Sequence, residues 1–371
     1  MHIVRALLRV HVVDPSAFTL PYDAALSHAL GSRALPGGGA LVTLYTSRFA
    51  YGSPAPVPDY RFEEPFYRRS SRLRNPRVRR LAKAFEHVPD MLAYRRVAAS
   101  ADVVHFQWLA VQQLDLHLLP SGRPLVLTAH DVLPREGSGA RRSAQRKLYG
   151  RVDAVVAHSE HSRRRLVDEL EIAAERVHVI PHGPLRPWEG QSEAPLPLPA
   201  TKRPVVLFFG LLRPYKGLDL LMEAWRGITD AELWVVGMPR GVDIARLDAP
   251  AGVRFLPRFV GDGEMHALMR HATMLVAPYR EIEQSGAVFT ALGAGLPVVL
   301  SDVGGFPELA STGAVELFPS GDAGALREAI SRLLSDPTRR EAMAAAALSL
   351  EEGEWSWARI AERTLALYRS L

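Results

Sequence analysis

Short apolar runs alternate along the chain with longer stretches whose apolar residues recur at helical spacing. In the first half the runs are a first strand in MHIVRALLRVHVVD, then DVVHF (102–106), PLVLTAH (124–130), AVVAHS (154–159) and VHVIPHG (177–183). Continuous Val, Ile and Leu runs of this length mark strands buried on both faces, and the helical stretches between them are the crossovers that a parallel sheet requires. The segment PLRPWEGQSEAPLPLPATKRP sustains neither period, because its prolines and Gly190 interrupt both. Alternation restarts with VVLFFG (205–210), AELWVVG (231–237), VRFLP (253–257), TMLVAPY (273–279) and LPVVLSD (296–302), and from Asp322 the pattern is helical. The spacing predicts an α/β chain of two Rossmann-like, doubly wound domains. They cover residues 1–183 and 204–350, joined by a linker at 184–203. A C-terminal helix within 351–371 closes the second domain or packs back on the first. Two such domains facing a central cleft would line it with the carboxyl ends of their strands, where open α/β sheets bind ligands.

Composition narrows the chemistry. Of 371 residues, 47% are hydrophobic and 23% charged, an ordinary globular mix. There is no cysteine, which excludes a disulfide framework, a cysteine-ligated metal centre and a thiol nucleophile. The net charge of +5 identifies no partner. Arg5 and Arg9 cut the first apolar stretch, so it lacks the h-region of a signal peptide. The uncharged run from Gln284 to Ser301 is punctuated by Gly286, Gly293, Gly295 and Pro297 and reads as helix, turn and strand rather than a membrane span. The expected location is cytoplasmic, including the periphery of the inner membrane face.

Two segments carry the sharpest local chemistry. FFGLLRPYKGLDLLMEAW (208–225) is a buried strand, a turn holding Arg213 and Lys216, and a helix. A guanidinium fork and a compact ammonium leaving one strand end suit a diphosphate, although two basic residues in a loop are more often simply solvated. APYREIEQSGAVFTALGAGLPVVLSDVGG (277–305) places Glu281 and Glu283 ahead of Gln284, Ser285 and Gly286, with a helix starting near Ala287. Small residues there leave backbone amides open to an anion, and the helix dipole favours negative charge. An acidic helix cap needing no ligand is the competing explanation.

Together these segments resemble the GT4 family of retaining, nucleotide-sugar-dependent glycosyltransferases with the GT-B fold. VIPHG before the linker, SDVGGFPEL (301–309), DVVHFQWL, LTAHD and the SW of the terminal helix add to the resemblance, which extends over nearly the whole chain. It implies that Arg213 and Lys216 neutralise the donor diphosphate in place of a metal ion, so no metal or other cofactor is expected. It further implies that Ser285, Gly286 and Ala287 cradle phosphate and sugar, with Gly237 also on the donor side. Glu281 matches the first glutamate of the family's E-x7-E motif, with Glu283 as its rival. The second glutamate, expected on the nucleotide ribose, aligns with Thr290, a departure that replaces a charged acceptor with a weaker, neutral one. His130 resembles a histidine near the donor sugar; neighbouring Asp131 is read either as a site residue or as a turn cap. Thr19, Tyr22 and Asp23, in the loop after the first strand and at a helix beginning near Tyr22, fall on the acceptor side. For Asp23 an ordinary first-turn helix carboxylate is the competing reading.

From Arg68 to Lys83, RRSSRLRNPRVRRLAK holds seven arginines, one lysine and no acid. It suits an anionic membrane, where lipid-linked acceptors occur, at about 1 kcal/mol per basic side chain near the surface; a solvated helix face is the alternative. Interleaved aromatics and a recognisable module for nucleic acid are missing. His158 and His161 are spaced for one side of a metal site, but no third ligand is evident, and Ser159 or Ser162 as a helix cap explains the segment better. The resemblance thus implies transfer from a UDP- or GDP-sugar to a hydroxyl acceptor, including a lipid-linked glycan. A same-face substitution assisted by the leaving phosphate is the working mechanism. Two alternatives follow from Thr290 and from the fold: a sugar-nucleotide binder or assembly partner without turnover, and a GT-B sugar-nucleotide epimerase.

Overall fold

The computed structural model describes residues 7–32, 35, 38–49, 59–73, 75–109, 111–133, 139–186, 194–199 and 201–371. Arg74 of the basic run, residues 187–193 and 200 of the linker and the first six residues lie outside the described residues. The chain forms two units, one running to Pro181 and completed by Trp357–Leu371, the other spanning His182–Ser356.

The first unit holds β1 (Arg9–Asp14), β2 (Leu41–Ser47), β3 (Tyr60–Phe66), β4 (Val103–Phe106), β5 (Leu125–Thr128), β6 (Ala154–Ala157) and β7 (Val177–Val179). They pair in the order β3-β2-β1-β4-β5-β6-β7, all parallel. The second holds β8 (Val205–Phe209), β9 (Glu232–Val236), β10 (Val253–Leu256), β11 (Met274–Ala277), β12 (Val298–Ser301) and β13 (Val315–Phe318). Their order is β10-β9-β8-β11-β12-β13, again all parallel. In each sheet the strand order reverses once, between β1 and β4 and between β8 and β11. Loops leaving those neighbouring strands diverge to opposite faces and open a crevice at their carboxyl ends.

The apolar runs read from sequence each contain a strand, but β2, β3 and β13 do not announce themselves. LVTLYTS alternates apolar with Thr and Tyr, YRFEEPF carries charges on an edge strand, and VELF is four residues long. The C-terminal helix Trp357–Ser370 lies against the helix Leu20–Gly31. Ring packing of Tyr22 on Trp357, centroids 5.4 Å apart, and a 2.6 Å hydrogen bond between Tyr368 Oη and His105 Nδ1 fix it there.

His105 also bonds Thr128 Oγ1 at 2.8 Å and is fully enclosed, so burial pushes its pKa down to about 3. The same cause holds His158 at about 4. An unfolded chain protonates these rings near 6.5, whereas the fold resists until much lower pH. The unfolded state therefore binds more protons across that interval, and stability must fall as pH drops from about 6.5 towards about 4, by about 1.4 kcal/mol per pH unit for each such histidine. Urea unfolding of His105→Gln at several pH values is expected to show an acid slope shallower than that of the wild type by about 1 kcal/mol per unit. Equal slopes would mean that this ring is already charged in the fold.

Candidate donor and acceptor sites

In the second unit, β8 ends at Phe209, and after Gly210 the chain turns through Arg213–Lys216 into the helix Leu218–Trp225. Lys216 is 7% exposed. Its Nζ lies 4.9 Å above the ring of buried Tyr279 and 2.8 Å from where a Cβ on Gly210 would sit. Gly237, at the end of β9, packs against the Gly210 carbonyl from the other side. Among the described residues neither Arg213 nor Lys216 pairs with a carboxylate. Neighbouring Arg280 behaves otherwise: its guanidinium grips Asp219 at 2.8 and 2.6 Å, which holds that carboxyl below its usual range. Arg280 also donates from its backbone to Tyr215 O at 2.7 Å and from Nη1 to Pro214 O at 3.2 Å. One arginine thus ties the loop after β11 to the turn that presents the two unpaired cations. A buried ammonium without a counter-ion costs several kcal/mol, and a cation–π contact returns only about 1–2 of it, so the arrangement is poised for an anion.

The loop after β11 leads into the helix Gly286–Gly293, one residue earlier than Ala287. Ser285 is its N-cap but makes no side-chain cap bond; Val288 N bonds Ser285 O at 3.0 Å, while among the described residues the amides of Ser285, Gly286 and Ala287 stay open, and a Cβ at Gly286 would meet nothing within 4 Å. Ala287 occupies the same turn. Glu281 is exposed, whereas Glu283 is 5% exposed. An E-x7-E spacing counted back from Thr290 lands on Ile282, so each glutamate lies one residue out of register. The Thr290 hydroxyl donates to Gly286 O at 2.8 Å, which commits its proton and leaves its lone pairs as acceptors. Gln284 carries no role in the sequence reading, although both polar atoms of its side chain are buried and have no partner among the described residues. Such a lapse costs about 1–3 kcal/mol per group unless a ligand repairs it. The VIPHG motif docks here too: His182 stacks on Phe289 at 4.1 Å, and Leu185 N donates to Phe289 O at 2.9 Å.

In the first unit, His130 follows β5 and His158 follows β6. His158 Nδ1 donates to Ile180 O at 3.0 Å, and because the ring is neutral its Nε2 accepts from His130 Nδ1 at 3.3 Å. The other side of His130 meets the Gln107 amide at 3.4 Å. Tyr22 sets its ring edge against both imidazoles, with centroids 5.0 Å from each. His158 is therefore a positioning residue for His130, while Ser159 caps the next helix by accepting from Ser162 N at 3.0 Å. The Asp131 carbonyl accepts from Gln145 Nε2 at 2.9 Å.

The acceptor-side trio lies on one helix start but differs in exposure. The helix begins at Leu20 with Thr19 as its N-cap residue, two residues before Tyr22. Tyr22 and Asp23 are buried, and Thr19 alone of the three is partly open. Thr19 Oγ1 donates to Asp23 at 3.0 Å and to Asp14 at 3.4 Å; burial first, and the neighbouring Asp14 second, push the Asp23 carboxyl well above its usual range. Asp23 lies in the first helical turn, as read, but its charge is suppressed.

Comparison with known proteins gives a consistent placement. Residues 203–336 match a family model described as glycosyl transferases group 1, and residues 32–183 match glycosyltransferase family 4. The chain is 30% identical over 311 residues to an α-maltose-1-phosphate synthase of Mycolicibacterium smegmatis, covering 74% of this chain and 80% of that one. It is 28% identical over 312 residues to a D-inositol 3-phosphate glycosyltransferase of Catenulispora acidiphila, covering 74% and 73%. Among solved structures, sucrose-phosphate synthase from Thermosynechococcus elongatus superposes with a TM-score of 0.70 at 19% identity over 98% of both chains. Anabaena HepE in complex with UDP-glucose gives 0.68 at 19% identity, covering 98% of this chain and all of that one, 100%. At that identity the two structures speak for the fold alone, which is GT-B.

Proposed function

Because the chain belongs to glycosyltransferase family 4, we propose that it moves a sugar from a nucleotide diphosphate sugar to a hydroxyl acceptor, with retention at the anomeric carbon and without a metal ion. The observation that carries this reading is the pair of cations, Arg213 and buried Lys216, that meet no carboxylate among the described residues, at the switch point of the second sheet. As the bond from C1 to the phosphate oxygen breaks, its electron pair passes to the diphosphate. Arg213, Lys216 and the amides at Ser285–Ala287 take up that charge. The acceptor oxygen bonds to C1 on the same face, and its proton goes to the departing phosphate. Glu283, the enclosed one of the two glutamates, and Gln284 orient donor hydroxyls, while exposed Glu281 is the outer alternative. The resemblance assigns His130, which hydrogen-bonds neutral His158, to the donor sugar. Thr290 accepts from ribose.

Relatives and neighbours support this range of co-substrates: HepE was solved with UDP-glucose, and a mannosyltransferase of Corynebacterium glutamicum, 32% identical over 181 residues, is described as GDP-mannose-dependent. That relative is matched over 47% of its length, so its acceptor supports only the class of a lipid-linked glycan. A thermal-shift panel of UDP, GDP, ADP and their sugars tests the donor. At one hundred times its dissociation constant a true donor adds about 2.7 kcal/mol, a rise of several degrees. No shift with any of them would end the donor assignment. A binder without turnover, the reading that Thr290 favours, would give the shift but release no nucleotide when acceptors are supplied.

A further inference from the structure

We propose that the solvent face of the helix Pro76–Ala98 rests in the headgroup region of an anionic lipid bilayer. The proposal deepens the transferase reading by naming the surface from which a lipid-linked acceptor would be presented, and it stands on observations separate from the donor site.

Val78, Leu81, Phe85, Pro89 and Leu92 follow one another at steps of three, four, four and three residues, which aligns them in a single stripe. This stripe faces outward. Phe85 is 82% exposed and Leu81 65%, while His87, Met91, Tyr94 and Ala98 on the opposite face are buried in the domain. A helix already anchored through one face has no internal reason to carry a phenylalanine and two leucines on the other. Arg77 and Arg95 flank the stripe on one side and Arg79 on the other, and exposed Arg68, Arg69 and Arg72 continue the positive surface from the preceding turn.

The acids of the helix are turned away from that surface. Glu86 accepts from Ser70 N and Ser70 Oγ at 3.1 and 3.0 Å, and Asp90 accepts from Tyr67 N at 2.7 Å. Both carboxylates are thereby used to pin the Tyr67–Ser70 turn to the helix. What remains on the outside is apolar and cationic only, the composition that binds an interface between acidic headgroups and acyl chains. A second copy of the chain fits poorly as occupant, because two such stripes brought face to face would oppose arginine to arginine. Among the described residues no helix is long and apolar enough to cross a membrane, so the contact is one of lying on the surface.

Co-sedimentation of the full chain with vesicles of phosphatidylcholine alone, or of phosphatidylcholine with phosphatidylglycerol, at low and high salt, tests this without donor or acceptor. Binding is expected only to the anionic vesicles and should weaken with salt. Leu81→Glu with Phe85→Glu, and separately Arg77→Glu with Arg79→Glu, should each lower partitioning about tenfold or more, with the melting temperature and the donor-induced shift unchanged. Equal binding to neutral vesicles, no binding at all, or glutamate variants that bind like the wild type would overturn the proposal. So would a concentration-dependent dimer that Phe85→Glu dissolves. A transferase that fails the donor panel but still binds anionic vesicles would refute the donor site and leave this surface standing.

Discussion

Alanine in place of Arg213 or Lys216 is expected to lower kcat/KM by about a hundredfold to a thousandfold each, the range found when one group that stabilises developing charge is removed. The stability readout separates this role from a structural one. Lys216 is enclosed beside Tyr279 with no carboxylate partner among the described residues, so removing its charge relieves a desolvation penalty. Lys216→Met, which keeps the stem and loses the charge, should therefore melt at the wild-type temperature or above it while transfer is lost. Lys216→Arg should not restore activity, because a wide planar guanidinium fork does not reproduce a compact ammonium held 4.9 Å above the Tyr279 ring. Arg280→Ala should behave differently again, losing stability together with activity, since its ion pair with Asp219 and its bonds to Pro214 and Tyr215 hold the two loops together. Transfer retained within about threefold in the Lys216 variants would remove the electrostatic core of the proposed mechanism.

The two halves of the fold were legible because parallel strands buried on both faces leave unbroken apolar runs, and β5, β8, β9 and β12 read directly as such. The strands that escaped notice alternate, as LVTLYTS does, or lie at a sheet edge with charges, as YRFEEPF does; a half-open strand shares its pattern with many loops. Single residues divided in the same way. Arg213 and Lys216 stand out by residue type and position after a strand, but only the resemblance points them at a diphosphate. His158 was weighed as a metal ligand or a cap neighbour, and its contact with His130 depends on β5 and β6 being adjacent, which spacing along the chain does not reveal. Gln284 gave no signal, because an uncharged amide becomes informative only when its burial and lack of partners are known. The resemblance puts Tyr22 and Asp23 on the acceptor side; their burial in the helix Leu20–Gly31, Asp23 against Asp14 and Tyr22 against the histidines, is not written in the residue types.

Two glycines at opposite ends of the donor loops should respond to the same substitution in opposite ways. Gly217 follows Lys216 with φ +68, and a Cβ there would lie 2.0 Å from Pro278 O. Alanine at this position must bear a left-handed backbone, at a cost of about 1 kcal/mol, and must also displace the carbonyl that starts the loop after β11. That displacement would pull Tyr279 from under Lys216 and separate the cations from the amides at Ser285–Ala287. Gly217→Ala is therefore expected to lower the melting temperature by several degrees and kcat/KM by about a hundredfold. Gly286 opens its helix with free space around it, so alanine there should hold or raise stability by about 0.5–1 kcal/mol, because it restrains the unfolded chain. Its methyl group would, however, intrude where the phosphate is proposed to lie, and affinity for the nucleotide sugar should fall. Melting curves with and without donor distinguish the pair. A Gly286→Ala enzyme that binds donor as tightly as the wild type would place the diphosphate away from this helix, and the assignment of Ser285–Ala287 would then have to be abandoned.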